Sequence, residues 1–381
     1  MNMTAQVVVI GGGVMGTSIA YHLARAGVRD VLLVERDELA SGSTSRAAGG
    51  VRAQFSDALN VQLGARSLAA FARFGEEPGH DIGLHRVGYL FLLSTPEEVA
   101  AFEAGVELQN GLGVPSRMLD PAEAQRLSPL ITTDGLLAAA FSPDDGHCTP
   151  EAVVHGYAAG ARRHGATVLR HCEVTGIELR GDEITAVVTS RGRITTDTVV
   201  CAAGAWSRVV GAMVGVDLPV EPLRRQIAVT EPVPGLPPHL PMTIDFTSSL
   251  YFHAEGPGLL VGMSDPDEEP GFSTRTHDGW IPRLGEAMQR RAPALLDLRR
   301  TGGWAGLYEI TPDHNALIGE AATPSRFLYA TGFSGHGFLQ GPAVGEVVRD
   351  LVLGRTPFVD ISPLGVGRFA TDSLRPEVNL V

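Results

Sequence analysis

The sequence predicts an α/β chain: a Rossmann-type nucleotide-binding domain, with a second, mostly antiparallel-sheet domain inserted discontinuously. Three observations predict it. The stretch Gln6 to Glu35 reads strand, glycine turn, helix, strand and terminal acid without a break. Asp197 to Ser207 repeats the theme of buried strand, small-residue turn and helix. Between these units and after the second run two excursions, the later of them dominated by short strands bounded by turn residues. On this reading residues 1–82, 147–215 and 312–381 form the nucleotide-binding domain, and residues 83–146 and 216–311 the second one. A length of 381 residues suits two cores better than one.

Val7 to Ile10 are four β-favouring apolar residues in a row, the pattern of a parallel strand covered on both faces. Gly11-x-Gly13-x-x-Gly16 follows. Gly11 suits a tight turn, Gly13 a close approach of backbone to a pyrophosphate, and Gly16 close packing of helix on strand. Val14 and Met15 open the helix, whose N-terminal donors and positive dipole end suit phosphate. Glu35 ends the next apolar run, where a carboxylate accepts hydrogen bonds from a ribose, and Arg36 follows it. The alternative is a glycine turn before an ordinary helix; the register of all five features favours a dinucleotide, FAD or NAD.

Arg36 to Arg52 is small and glycine-rich, including Ser43, Thr44, Arg46, Ala47, Ala48, Gly49 and Gly50, a composition that suits a loop pressed against a ligand. A helix is predicted from Asp57 to Phe74. From Gly83 the texture changes to a strand (Gly88 to Leu93) and two helices started by Thr95-Pro96 and Asp120-Pro121. Ser142 to Gly146 is a turn, and Thr149-Pro150-Glu151 caps a helix reaching Arg163. Strands follow at Ala166 to Leu169 and Glu173 to Leu179, then a hairpin to Thr195. In the strand–turn unit at Asp197, Ala203, Gly204 and Trp206 again let backbone lie close to a ligand.

The second excursion reads as strands at Val220 to Thr230, Met242 to Phe246, Leu250 to His253, Gly258 to Met263 and Arg300 to Glu309, with a helix from Gly279 to Arg291. The last segment holds strands at Ala316 to Gly319 and Phe327 to Ala330. Gly332, Gly335 and Gly337 then precede a helix expected to begin near Gly341-Pro342.

Composition narrows the function. With 44% hydrophobic and 19% charged residues, the chain reads as an ordinary soluble globular protein. A net charge of −13 without a basic run argues against nucleic acid or an anionic membrane as partner. No apolar run is long enough to span a bilayer and no leader precedes the first strand, so a cytoplasmic location is expected. Cys148, Cys172 and Cys201 include no CxxC pair and read as buried thiols. The 12 histidines form no HExxH or Cys/His cluster, so no metal is expected.

Five motifs, VVVIGGGVMGTSIAYHLA with Glu35, GSTSRAAGGVR, VVCAAGAWS, WAGLYEITPDHNALIG and YATGFSGHGFLQGPAVGE, resemble those of the D-amino-acid-oxidase superfamily of FAD enzymes over nearly the whole chain. The nearest branch looks like the β subunits of sarcosine oxidase and L-proline dehydrogenase, with glycine oxidase and monomeric sarcosine oxidase as cousins. The resemblance implies FAD rather than NAD. It implies that Gly11, Gly13, Gly16 and Glu35 hold the ADP half, and that Ser43, Thr44 and Arg46 to Gly50 lie along the pyrophosphate and isoalloxazine. Val174 would meet adenine through its backbone. Gly204 and Trp206 would line the flavin, and Gly335, His336, Gly337, Phe338 and Leu339 would meet its pyrimidine edge.

Departures from the relatives shape the expectations. Where some attach FAD through a cysteine or histidine, this chain has Gly306 and Arg46, so FAD is expected to be noncovalent. Where monomeric sarcosine oxidase has lysines for oxygen activation and substrate binding, this chain has Leu260 and Leu339. The electron acceptor is therefore O2 or a redox partner, and further subunits are compatible with either. The arginine by which glycine oxidase holds a carboxylate falls near Tyr308 and is absent here, leaving Arg52 as the candidate. His336, Tyr251 and Tyr308 complete the expected catalytic set. The implied reaction is oxidation of a secondary or N-methylated amino acid, sarcosine- or proline-like. A 2-hydroxy-acid dehydrogenase, or a flavoprotein subunit or assembly factor with little turnover alone, are the alternatives.

Overall fold

A computed structural model describes residues 2–371 and 374–379. Six strands form the first sheet, in the order Leu317–Glu320, Phe327–Thr331, Val199–Cys201, Val7–Ile10, Val31–Val34 and Thr167–Leu169. All neighbours are parallel except the first pair. Val7–Ile10 lies inside the sheet with every side chain buried, and its pleat divides them. Val7 and Val9 enter the core beneath the helices, whereas Val8 and Ile10 enter a second core shared with a smaller sheet. The continuous apolar run follows from this covering of both faces.

On the helical side, Val14–Arg25 packs between Pro150–Arg163 and Gly337–Val352, and Ala58–Ala72 packs against the latter. On the other side, Asn2–Thr4, Gly192–Thr195, Glu183–Thr189 and Val174–Arg180 form a four-stranded sheet in that order. The pairing of Asn2–Thr4 with Gly192–Thr195 is absent from the sequence reading.

The second sheet has eight strands: Arg300–Ile310, Glu221–Thr230, Gly258–Met263, Leu250–Glu255, Met242–Asp245, Tyr89–Leu93, Ala138–Ser142 and Arg117–Leu119. It is antiparallel except where Met242–Asp245 meets Tyr89–Leu93. That seam joins strands from both excursions into one sheet. Helix Ile281–Arg291 is locked to it by Arg291, whose Nε donates to Asp245 Oδ1 at 3.0 Å and whose Nη2 donates to Ser94 Oγ at 2.8 Å. Both partners of this ion pair are only 2% exposed. Such a pair fixes the register of packing because neither charge tolerates being left alone.

Helix starts follow their sequence signals with two exceptions. Thr95 and Asp120 form capping boxes with Glu98 and Glu123. Thr149 precedes its helix without a side-chain cap. The last helix begins at Gly337, with His336 as N-cap and Pro342 inside it. Proline there removes one main-chain bond and still leaves the glycine segment to supply the helix's N-terminus.

Candidate functional site

A cavity of about 600 Å³ opens across the carboxyl ends of Val7–Ile10 and Val199–Cys201 and extends beneath the second sheet. Ligand sites of open parallel sheets occur at this position, and the volume is that of a ligand pocket. It is lined at one end by Gly11, Gly13, Val14, Met15, Glu35, Arg36 and Val174. Along its length it is lined by Ser43, Thr44, Arg46 to Gly50, Ala203, Gly204 and Trp206. Its far end holds Arg52, Tyr251, Tyr308 and the Gly335–Leu339 segment with His336, Gly337 and Phe338. The structure therefore gathers every site residue expected from sequence except Gly16, which lies behind the wall.

Gly16 acts from there. A Cβ at Gly16 would stand 1.8 Å from the Gly11 carbonyl oxygen, so glycine is what allows the helix to sit on the turn. At Gly11, with φ +113, a Cβ would stand 2.3 Å from the Ala202 carbonyl oxygen. Glu35 Oε2 accepts from Gly12 N at 2.6 Å and Oε1 from Asp37 N at 2.8 Å, which fixes the carboxylate at the cavity edge with lone pairs to spare. Thr44 Oγ1 accepts from Val14 N at 3.2 Å, so one donor of the helix N-terminus is already paired. Arg36 lies 3.9 Å over the Trp206 ring, which stacks on Phe272 at 5.5 Å. These features fit a dinucleotide: a glycine cradle without side chains, a helix N-terminus for the pyrophosphate, and an oriented acid for the ribose.

The loop along the middle is pinned by the second sheet. Trp304 Nε1 donates to Arg46 O at 3.0 Å, and His253 Nε2 stands 3.0 Å from Ala48 O. Two glycines of the cavity lining are required by their neighbours. A Cβ at Gly50 would strike the Tyr89 hydroxyl, and one at Gly335 the Tyr308 ring.

At the far end Arg52 is 4% exposed and already engaged. Its Nη1 donates to Gln54 O, and its Nη2 to Asn379 O at 2.6 Å, with His336 Nε2 at 3.3 Å. Its guanidinium also lies 4.3 Å over Phe55. His336 is held well below the usual imidazole range by burial and then by the Arg52 charge, so it is neutral and accepts at Nε2. Burial raises the Tyr251 and Tyr308 phenols, which stay protonated.

Arg225 is the group the sequence reading missed. It lines the cavity, its guanidinium lies 5.4 Å over the Tyr308 ring, and its buried Nε has no hydrogen-bond partner. Nη1 donates to Arg224 O at 3.1 Å. The neighbouring Arg224 pairs with Glu268, with Nη2 at 2.7 Å from Oε1. A signal was available: adjacent residues of a strand face opposite ways, so one of two consecutive arginines must point inward.

Behind Arg52, buried Asp145 accepts from Ala53 N at 3.0 Å, and burial pushes its carboxyl up to about 7. A folded-state value above the ordinary 3.8 means the fold favours the protonated acid. That stabilisation is complete below the unfolded value and is lost as pH rises through about 7. Melting curves from pH 4 to 7 should therefore show Asp145→Asn declining less steeply than wild type, with the two curves running parallel above that range. The difference is at most about 1.4 kcal/mol per pH unit; parallel curves within the range would count against the assignment.

Among the described residues no group of three His, Cys, Asp or Glu side chains is placed to hold a metal ion, and no helix is long and apolar enough to cross a membrane. Cys148, Cys172 and Cys201 are buried and unpaired.

Comparison with known proteins agrees with this geometry. The family model described as "FAD dependent oxidoreductase" matches residues 6–351. Mitochondrial dimethylglycine dehydrogenase of Mus musculus is 32% identical over 390 residues, covering 96% of this chain and 45% of that protein. Mitochondrial sarcosine dehydrogenase of Mus musculus is 31% identical, covering 96% and 41%. The chain thus spans less than half the length of these curated relatives. The crystal structure of L-proline dehydrogenase from P. horikoshii superposes with a TM-score of 0.92 at 34% identity, over 98% of this chain and 100% of that one. With its glycine cradle, oriented acid and two-sheet cavity, the chain belongs to the DAO family of FAD-dependent oxidoreductases.

Proposed function

We propose that this protein oxidises a secondary or N-methylated amino acid, sarcosine-, dimethylglycine- or proline-like, at the carbon next to nitrogen. The observation that carries the reading is Arg225: a cationic fork without a carboxylate partner among the described residues, facing a cavity walled by Tyr89, Tyr251 and Tyr308. A substrate carboxylate completes it through a bidentate pair. The proteins named for dimethylglycine, sarcosine and L-proline among its relatives support the same substrate class.

FAD, when bound, accepts a hydride from the carbon beside the amine nitrogen. The chain supplies the rest. Arg225 orients the substrate by its carboxylate, which turns a collision into a fixed approach. The tyrosines and Met242, Ile244 and Ile227 keep water from the reacting carbon. Arg52 takes a positioning role, in place of the carboxylate clamp expected from sequence, by holding His336 and the segment Gly335–Leu339. The imine leaves to be hydrolysed by water. Segments 1–82, 147–215 and 312–381 are assigned to cofactor binding, and 83–146 with 216–311 to substrate choice.

FAD is held without a covalent bond on this reading, since Gly306 faces the Arg46 side chain and neither offers a thiol or imidazole. Acid precipitation should leave a colourless pellet; a yellow one would contradict it. Leu339 and buried Leu260 offer no charge for oxygen activation, which favours transfer to a redox partner over O2. The three buried free thiols fit a cytoplasmic setting. The test is anaerobic mixing of the FAD-loaded protein with N-methyl amino acids, proline and matched 2-hydroxy acids. Loss of flavin absorbance with the amines alone supports the proposal, and loss with hydroxy acids alone overturns it.

A further inference from the structure

We infer that Glu309 tunes the cofactor: its carboxylate, standing in the cavity against the first turn of helix Gly337–Val352, offsets the positive end of that helix and lowers the potential of bound FAD. The inference rests on FAD lying in the cavity and is independent of which amine is oxidised.

Glu309 follows Tyr308 in strand Arg300–Ile310, so the two side chains leave on opposite faces. Tyr308 turns to the substrate end, and Glu309 to the nucleotide-binding domain. Glu309 Oε2 accepts from Thr331 Oγ1 at 2.8 Å and from Gly332 N at 2.9 Å. Thr331 Oγ1 is fixed in turn, 2.7 Å from Ser207 Oγ and 3.2 Å from Gly204 O. Oε1 stands 3.4 Å from where a Cβ on Gly337 would be, which places the carboxylate beside the first helical residue. Glu309 also lines the cavity with Gly204, Gly335 and Gly337. Its neighbours are hydroxyl and amide donors, with no cation paired to it among the described residues.

Two consequences follow from electrostatics. An isolated helix N-terminus carries roughly half a positive charge and would favour an anionic reduced cofactor. An ionised carboxylate on the same turn removes part of that benefit, because like charges in a low-dielectric cavity repel. Burial raises the Glu309 carboxyl, so it is ready to take a proton when charge arrives. Reduction delivers two electrons and one proton as hydride from the substrate. The remaining negative charge would be met by one proton from bulk hydronium, which forms the O–H bond of Glu309 and leaves water behind.

Other groups around the cavity leave this titration isolated. Burial pushes Cys201 up to about 11 and raises Tyr308, while it lowers His336 and His314. Asp145 does not line the cavity, and a comparison of variants that keep it cancels its contribution.

The test is potentiometric titration of FAD-loaded wild type and Glu309→Gln from pH 6 to 9, with FAD dissociation constants measured alongside. At pH 9 the variant should lie higher by about 30 mV or more, a tenfold change in the redox equilibrium of a two-electron couple. The gap should close on acidification. Thr331→Val removes a donor to the carboxylate and should move that closure to higher pH. Equal potentials at every pH, a gap independent of pH, or a lower potential in Glu309→Gln would each overturn the inference. A loss of FAD affinity without a shift in potential would make Glu309 a binding residue instead. Should Glu309→Gln fail to load FAD, an unshifted profile in Thr331→Val overturns the inference by itself. Wild type that does not bind FAD would overturn the cofactor site as well.

Discussion

Arg225→Met is expected to raise the KM for a carboxylated amine about 100-fold while leaving the oxidation of amines without a carboxylate nearly unchanged. A charge-assisted hydrogen bond contributes about 1.5 kcal/mol or more, and a fork makes two, so about 3 kcal/mol is at stake. At 1.4 kcal/mol per factor of ten, that is roughly 100-fold. Methionine keeps most of the bulk against Tyr308 and removes the charge, so the cavity wall should hold its shape. Arg225→Lys keeps the charge without the planar fork and should recover only part of the loss. Steady-state kinetics on sarcosine and on a matched amine lacking the carboxylate decide it. An equal loss on both substrates would show that Arg225 supports the fold rather than the carboxylate.

Gly16→Ala is expected to abolish stable FAD binding, and Gly13→Ala to weaken it in a protein that still folds. The two glycines share a motif but meet different neighbours. A Cβ at Gly16 would stand 1.8 Å from the Gly11 carbonyl, which is main chain and cannot rotate away. The helix must shift off the turn, with an overpacking cost of about 1–3 kcal/mol or more. At Gly13 the nearest atom is Thr44 Oγ1 at 3.1 Å, and φ is an ordinary −80. Alanine fits there with a small adjustment, but its methyl crowds the approach to the helix N-terminus. FAD affinity should fall by roughly tenfold, about 1.4 kcal/mol, on the scale of one misplaced phosphate contact. Fluorescence titration with FAD and thermal melts separate the two effects. Wild-type melting and FAD content in Gly16→Ala would contradict the packing role.

Much of this was legible because the governing interactions are local. The run Val7 to Ile10, the glycine spacing and Glu35 lie within one βαβ unit, and the capping boxes at Thr95 and Asp120 each span a single turn. Three features were not legible, each for a physical reason. The start of the last helix was placed late because Gly341-Pro342 resembles a first turn, whereas Pro342 sits inside a helix begun at Gly337. Arg225 is not singled out by the sequence because nothing local distinguishes it from Arg224, and only the fold shows Glu268 occupying Arg224. Arg52 was expected to clamp a substrate carboxylate because its acceptor Asn379 O lies 327 residues away in sequence. Glycines, too, were assigned to the ligand where side chains share the space, as Tyr308 does at Gly335 and Tyr89 at Gly50.

On the proposed reading, the FAD-loaded chain cleaves a C–H bond next to the nitrogen of a carboxylated amine. Anaerobic single-turnover mixing with sarcosine, protiated or deuterated at its N-methyl and α carbons, tests it most directly. Flavin absorbance should be lost, and more slowly with the deuterated amine, by a primary isotope effect. Reduction at the same rate with either isotopologue, or by a 2-hydroxy acid and by none of sarcosine, dimethylglycine and proline, would contradict it.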